Sequence, residues 1–189
     1  ALALGVTGRN SEKVAALSQL ANGNPNSTLK ADVLYQMAES YVKLNQNDKA
    51  LASYSKVVND FPRSSYVKKS LLAMGLIYFN SNRNTDAIRC YKQVVTDYAG
   101  SGEAEDALIG LKNVYVDMNE VDSYYNYVKG LGVLTSSDLI EQDSLSYSAA
   151  EKIYMSGDYP RAATSLKSYI DNHADGRYLP NAHFYKGDC

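Results

Sequence analysis

The sequence predicts an all-α protein: a right-handed superhelical solenoid of antiparallel helix pairs with a period of about 37 residues. Three observations carry this. The chain finds itself when shifted by 37 residues. Each copy holds two apolar stripes of helical spacing separated by a polar break. No stretch shows sustained period-two alternation with β-branched residues, so strands are not expected.

The shift sets DKALASYSKVVNDFPRS (Asp48 to Ser64) on TDAIRCYKQVVTDYAGS (Thr85 to Ser101). Ala50 meets Ala87, Tyr54 meets Tyr91, and Val57-Val58 meets Val94-Val95. Upstream, Leu34, Met37 and Tyr41 fall on Leu71, Met74 and Tyr78. Backwards the shift reaches Leu4, Leu17, Leu20 and Pro25. Forwards it gives a worn copy through Leu108, Leu111, Tyr115, Val128 and Leu131. One extra residue in the Leu131–Ser137 region leads to a fourth copy with Ala149, Ala150, Ile153, Ala162, Leu166 and Tyr169. The expected division of this single repeat domain is a partial repeat over 1–30, repeats over 31–67, 68–104, 105–142 and 143–179, and a truncated repeat over 180–189.

Within a unit, Leu34, Met37, Ala38 and Tyr41 form the first helical stripe. Asn45-Gln46-Asn47-Asp48 breaks it, with Asn47 or Asp48 able to cap the next helix. Ala50, Tyr54, Val57 and Val58 form the second stripe, which Phe61-Pro62 ends because proline cannot continue a helix. Unit two breaks at Asn80 to Asn84 and has Gly100 after its second helix. Gly130 and Gly132 read as a helix-ending pair, and Pro160 suits a first helical turn.

Small residues mark where the two helices of a pair must approach: Ala38, Gly75 and Ala150 on first helices, and Ala50, Ala87 and Ala162 on second helices. Tyr41, Tyr78, Tyr115, Ile153, Tyr54, Tyr91, Val128 and Leu166 fill the space beside them. Such a pair cannot bury its stripe alone, so neighbours must stack. In unit three Lys112 and Tyr124 replace the small residues, and its helices are expected to splay or shift.

These residues resemble the tetratricopeptide repeat (TPR). The family's sequence of large, small, aromatic and closing proline is matched by Leu34, Met37, Ala38, Tyr41, Ala50, Tyr54, Val57 and Pro62, and unit four adds Gly157-Asp158-Tyr159. The period of 37 exceeds the family's usual 34, which implies longer helices or linkers. Tyrosine-rich units closing in NDFPRS (Asn59 to Ser64) and TDYAGSGEAEDAL (Thr96 to Leu108) are similar to TPR proteins of the bacterial cell envelope. That likeness implies a periplasmic or envelope location and a larger parent chain. The absence of an initiator Met and of any leader-like segment fits a mature protein or an excised piece.

Composition bounds the function. The 189 residues are 45% hydrophobic, enough for a core, and 19 basic against 21 acidic side chains give a formal charge of −2. That balance argues against a general nucleic-acid binder, which needs a positive footprint for phosphate. No apolar run reaches the length of a membrane span. Cys90, Cys189, His173 and His183 are too few and too scattered for a zinc site or a disulfide framework. Cys90 reads as a small packed thiol, and His173 and His183 as solvated helix-end histidines. No phosphate loop, GxSxG or HExxH occurs, so no catalytic, cofactor or metal residue is assigned.

In the TPR family the first helix of each unit lines a concave groove. The resemblance places Tyr35 and Glu39, Leu76 and Phe79, Asn113 and Val116, and Tyr147, Glu151 and Tyr154 on that surface, with Phe184 in the last fragment. Tyr35, Phe79, Tyr147 and Tyr154 are the expected exposed anchors, while Leu72, Leu76 and Ile109 are equally suited to packing between units. The Lys–Asn–Arg carboxylate clamp of some TPR domains is absent: Tyr35, Glu39, Ala73 and Leu72 stand there. The expected function is a non-catalytic protein-interaction scaffold for an apolar, partly basic peptide or protein. The alternatives are a structural segment that self-associates or stacks on further repeats, and an accessory domain of an enzyme.

Overall fold

A computed structural model describes residues 2–23 and 27–189, and every regular element among them is a helix. The side chain of Leu4, and Pro25, both matched by the 37-residue shift, lie outside the described residues. Helix α1 (Leu2–Asn22) precedes four pairs. These are α2 (Ser27–Lys43) with α3 (Asn47–Asp60), α4 (Tyr66–Asn80) with α5 (Asn84–Asp97), α6 (Gly102–Asp117) with α7 (Val121–Gly130), and α8 (Ser136–Met155) with α9 (Tyr159–Asn172). Helix α10 (Leu179–Asp188) follows. The chain divides into two units, residues 1–110 and 111–189, with the division inside α6. In the first, each helix from α1 to α5 packs on the next, and α2 also touches α4. In the second, α7 to α10 do the same, and α8 also touches α10. The predicted all-α solenoid of helix pairs is the observed architecture.

Each pair closes through a three-residue turn held by one backbone device. Asn45, Asn82 and Asn119 adopt the left-handed conformation with φ of 55°, 56° and 57°, and Gly157 does so at 83°. Asparagine and glycine tolerate that region best among common residues. The carbonyls of Tyr41, Tyr78 and Tyr115 are then capped by the N–H groups of Gln46, Arg83 and Glu120 at 2.9, 2.9 and 2.8 Å. The same bond recurs at intervals of 37 residues although the helices it joins differ in length, because it depends on the turn alone. Asn82→Ala should therefore cost about 1 kcal/mol, because alanine lacks the short polar side chain that offsets the strain of a β-carbon in this region. Asn82→Gly should match or exceed the native stability; urea midpoints of the two variants check the contrast.

The helix starts correct one expectation. Helix α3 begins at Asn47 with Gln46 at the cap, and that side chain makes no capping bond. The left-handed Asn45 turns the chain into α3 one residue early, so Asp48 lies within the first turn, where the helix dipole favours an acid. Side-chain capping occurs in the second unit. Thr135 and Asp138 form a reciprocal box at α8, and the Asp158 side chain accepts from the Arg161 N–H, with Pro160 in the first turn of α9.

The small residues lie at the closest approaches. Ala38, Ala50, Ala87, Ala150 and Ala162 are fully buried. A β-carbon on Gly75 would stand 2.6 Å from Tyr91 Cε1, and one on Gly110 would stand 2.6 Å from Tyr91 Cζ. The backbones of α4 and α6 thus press on one ring. The third pair differs from its neighbours. Helix α7 has ten residues against fourteen in α3, α5 and α9. At the alanine position of that pair, Tyr124 is buried against Tyr125 and Tyr115, at ring distances of 5.0 and 6.5 Å. Lys112 reaches outward to Glu141 on α8 at 2.9 Å, and Glu141 also accepts from the Tyr125 hydroxyl at 2.8 Å. In the second unit Tyr147, Ala150, Ala162, Leu166, Tyr169 and Ala182 form the core of α8, α9 and α10.

Candidate functional site

In the first unit, α2 and α4 present residues at equivalent positions of successive repeats. Tyr35 and Leu72 correspond, as do Glu39 and Leu76, and Val42 and Phe79; Ile109 continues the first row. Tyr35, Glu39, Leu72 and Phe79 are half-buried. Leu76 and Ile109 are 53% and 56% exposed, so neither is consumed by packing between units. Exposed apolar side chains in register along adjacent helices make a patch rather than scattered exceptions.

Tyr35 is the centre of a tyrosine cluster. Its ring lies 4.9 Å from Tyr66 at the start of α4 and 5.6 Å from Tyr54 on α3. Tyr54 is buried and forms the floor. The Tyr35 hydroxyl is hydrogen-bonded to Glu39, and burial followed by Glu39 pushes its phenol up to about 12. Tyr66 is bonded likewise to Asp32, which also accepts from Gln36 Nε2 at 3.0 Å. Both phenols stay protonated and donate at neutral pH. Asp32 lies on the face expected from its helix, whereas Tyr54 and Tyr66 were not among the predicted site residues. The signal for Tyr66, a tyrosine at the start of the next first helix, crosses a repeat boundary.

The second unit treats its predicted residues differently. Asn113 is exposed and Val116 half-buried. Tyr147 is not an exposed anchor: it is 3% exposed, stacked flat on Tyr178 at 4.7 Å, with its hydroxyl donating to Glu151 at 2.7 Å. The segment between α9 and α10 supplies that covering ring. Tyr154 is half-buried, packed on Tyr185 at 4.6 Å and bonded to Asp188, while Phe184 is 69% exposed.

His173 is the other correction. It caps α9 as expected, yet its side chain is only 9% exposed. With the proton on Nε2 the ring donates to Asp122 Oδ1 at 3.2 Å. It stacks on Tyr169 at 4.8 Å, and its Nδ1 lies 3.8 Å from Asp143. Asp122 also accepts from Gln142 at 2.8 Å, Ser146 at 3.0 Å and Asn172 at 2.9 Å. These bonds, that from His173 foremost, hold its carboxyl well below the usual range. A polar cleft of about 370 Å³ opens beside it, lined by Asn119, Ser165, Ser168 and others. Asp122 spends both oxygens within the protein, so the cluster acts as a tie between α7, α8 and α9. His183 is exposed. Cys90 is fully buried as expected, and burial pushes its thiol up to about 11, which leaves it protonated and unreactive at neutral pH.

No curated protein matches the chain. Two stretches, residues 32–64 and 69–101, match the family model of the tetratricopeptide repeat. The first falls on α2 and α3 and the second on α4 and α5. Repeats of this family generally mediate protein–protein interaction and scaffolding, and proteins built from them are typically non-catalytic. The two matched helix pairs, each closed by a left-handed asparagine and stacked through its small residues, are thus similar to tetratricopeptide repeats in both sequence and local structure.

Proposed function

We propose that the chain is a non-catalytic scaffold that holds a protein partner on the face formed by its first helices. The observation that supports this most is the row of Tyr35, Leu76, Phe79 and Ile109 left unfilled on α2, α4 and α6 of the first unit. Large side chains of this type anchor interfaces when a partner covers them. Tyr154 extends the same reading to the second unit. Replacing Tyr35, Phe79 and Tyr154 together by serine should reduce partner capture at least ten-fold while leaving helicity intact. Pull-down from the source cell, with circular dichroism of the variant, measures both; capture at native strength would remove this assignment.

A second reading rests on the last helix. Phe184, Met155 and Tyr159 are exposed at the α10 end, an apolar surface suited to another copy or to further repeats. Light scattering across concentration distinguishes it, since self-association grows with concentration and partner binding does not require it. The proposed setting is the bacterial envelope, supported by the closing sequences Asn59–Ser64 and Thr96–Leu108. Cell fractionation tests that setting.

A further inference from the structure

We propose that the partner segment seated on α2 is basic and extended, with two lysine or arginine side chains three residues apart lying along the Tyr35–Tyr66 strip. This rests on the reading of the first-helix face as a partner site.

Asp32 and Glu39 are seven residues apart on one helix, so they share a face about 10 Å apart. Tyr35 stands between them, with the Tyr66 ring 4.9 Å away and tilted by 30°. Asp32 accepts from the Tyr66 hydroxyl and the Gln36 amide, and Glu39 is bonded to the Tyr35 hydroxyl. Every one of these donors is neutral. Among the described residues neither carboxylate has an ion-pair partner. Lys68, on the adjoining first turn of α4, is already held by Glu103 at 2.7 Å. The strip therefore carries two uncompensated negative charges flanking half-exposed ring faces.

Ring faces attract cations, and a carboxylate beside them adds a charge-assisted hydrogen bond. Long basic side chains meet both demands, because their aliphatic stems cover aromatic surface while the head reaches the acid. In an extended chain of the polyproline II type, with three residues per turn, residues three apart share one face and are separated by about 9 Å, close to the spacing of the two acids. A wholly apolar segment would leave both charges facing covered, dehydrated surface, which is unfavourable. Charge complementarity thus selects a basic partner, and the exposed Leu76, the equivalent of Glu39 on α4, offers the apolar contact that follows.

The test is a titration of the full 189-residue chain, ring-labelled at tyrosine, followed by NMR. The probes are acetyl-Lys-Ala-Ala-Lys-amide and the analogue with both lysines replaced by norleucine. The lysine peptide should shift the Tyr35 and Tyr66 ring signals and lose at least ten-fold in affinity in the Asp32→Asn/Glu39→Gln variant. These near-isosteric changes keep the size of each side chain, and circular dichroism verifies the fold. The norleucine peptide should bind more weakly and be indifferent to the variant. Equal response to the two peptides, or silence of Tyr35 and Tyr66 toward the lysine peptide, overturns the basic partner. The first-helix face itself is judged separately, by the serine variants and pull-down described above.

Discussion

Gly75→Ala should destabilise the protein by about 2 kcal/mol, although alanine is favoured over glycine inside a helix by about 1 kcal/mol. The reason is local. The new β-carbon would meet Tyr91 Cε1 at 2.6 Å and Cζ at 2.8 Å, well inside van der Waals contact. A flexible side-chain tip could yield, but Tyr91 is a rigid ring 4% exposed, and Gly110 on α6 lies so close to the other side of it that a β-carbon there would also meet the ring at 2.6 to 2.9 Å. Movement away from one helix is movement into the other. Gly110→Ala should behave alike. The two changes together should cost more than either, and the unfolding midpoint in urea reads the loss directly. A coupled measurement isolates the cause. Tyr91→Val alone removes a buried ring and costs about 3 kcal/mol, but in the Gly75→Ala background it should cost far less because it relieves the clash. If Gly75→Ala is neutral, or if the effects of Gly75→Ala and Tyr91→Val simply add, the close approach of α4 to Tyr91 is not what fixes glycine there.

That pair also shows which parts of the fold were legible. Gly75, Ala38 and Ala150 repeat at the shift that aligns the units, and each is buried where two helices meet. Their constraint is satisfied within one hairpin, so it leaves a periodic mark in the sequence. Asn45, Asn82 and Asn119 mark the turns for the same reason, since each serves its own pair of helices. Tyr147 carried no such mark. Its cover is Tyr178, which lies beyond the following helix in a segment without periodic pattern. The Tyr35 cluster was half-legible: Asp32, Tyr35 and Glu39 share one face of α2, but Tyr66 joins them only because α4 begins where α2 runs past it. His173 was placed at its helix end, but its burial was not legible, because a histidine just after a helix reads as solvated unless its partners are known. Those partners, Asp122 and Asp143, sit 51 and 30 residues earlier on α7 and α8. Contacts between non-adjacent helices obey geometry that no local period records.

Asp122→Ala should be the most damaging polar substitution in the second unit, at about 3 kcal/mol. The carboxylate collects donors from Gln142 and Ser146 on α8 and from Asn172 and His173 at the end of α9. Removing it takes away their shared acceptor, and for the largely buried His173 an unmade bond costs more than a made one contributes. Space is tight around the same tie. A β-carbon on Gly176 would lie 2.5 Å from the Tyr169 hydroxyl and 2.7 Å from Asp143 Oδ1. Asp122→Asn tests the charge separately from the shape, since it keeps the size but directs an amide at donors that need an acceptor. The pH dependence has a defined sign. Hydrogen bonding, His173 first, lowers the carboxyl's proton affinity in the folded chain below that of the unfolded chain. As acid is added the unfolded chain takes the proton first, so the contribution of Asp122 is full above about pH 4 and declines below it. The stability gap between the native chain and Asp122→Asn should therefore be widest at pH 7 and narrower at pH 3, measured by urea unfolding at both. A gap that is constant across this range would mean that the Asp122 carboxylate makes no charge-dependent tie between α7, α8 and α9.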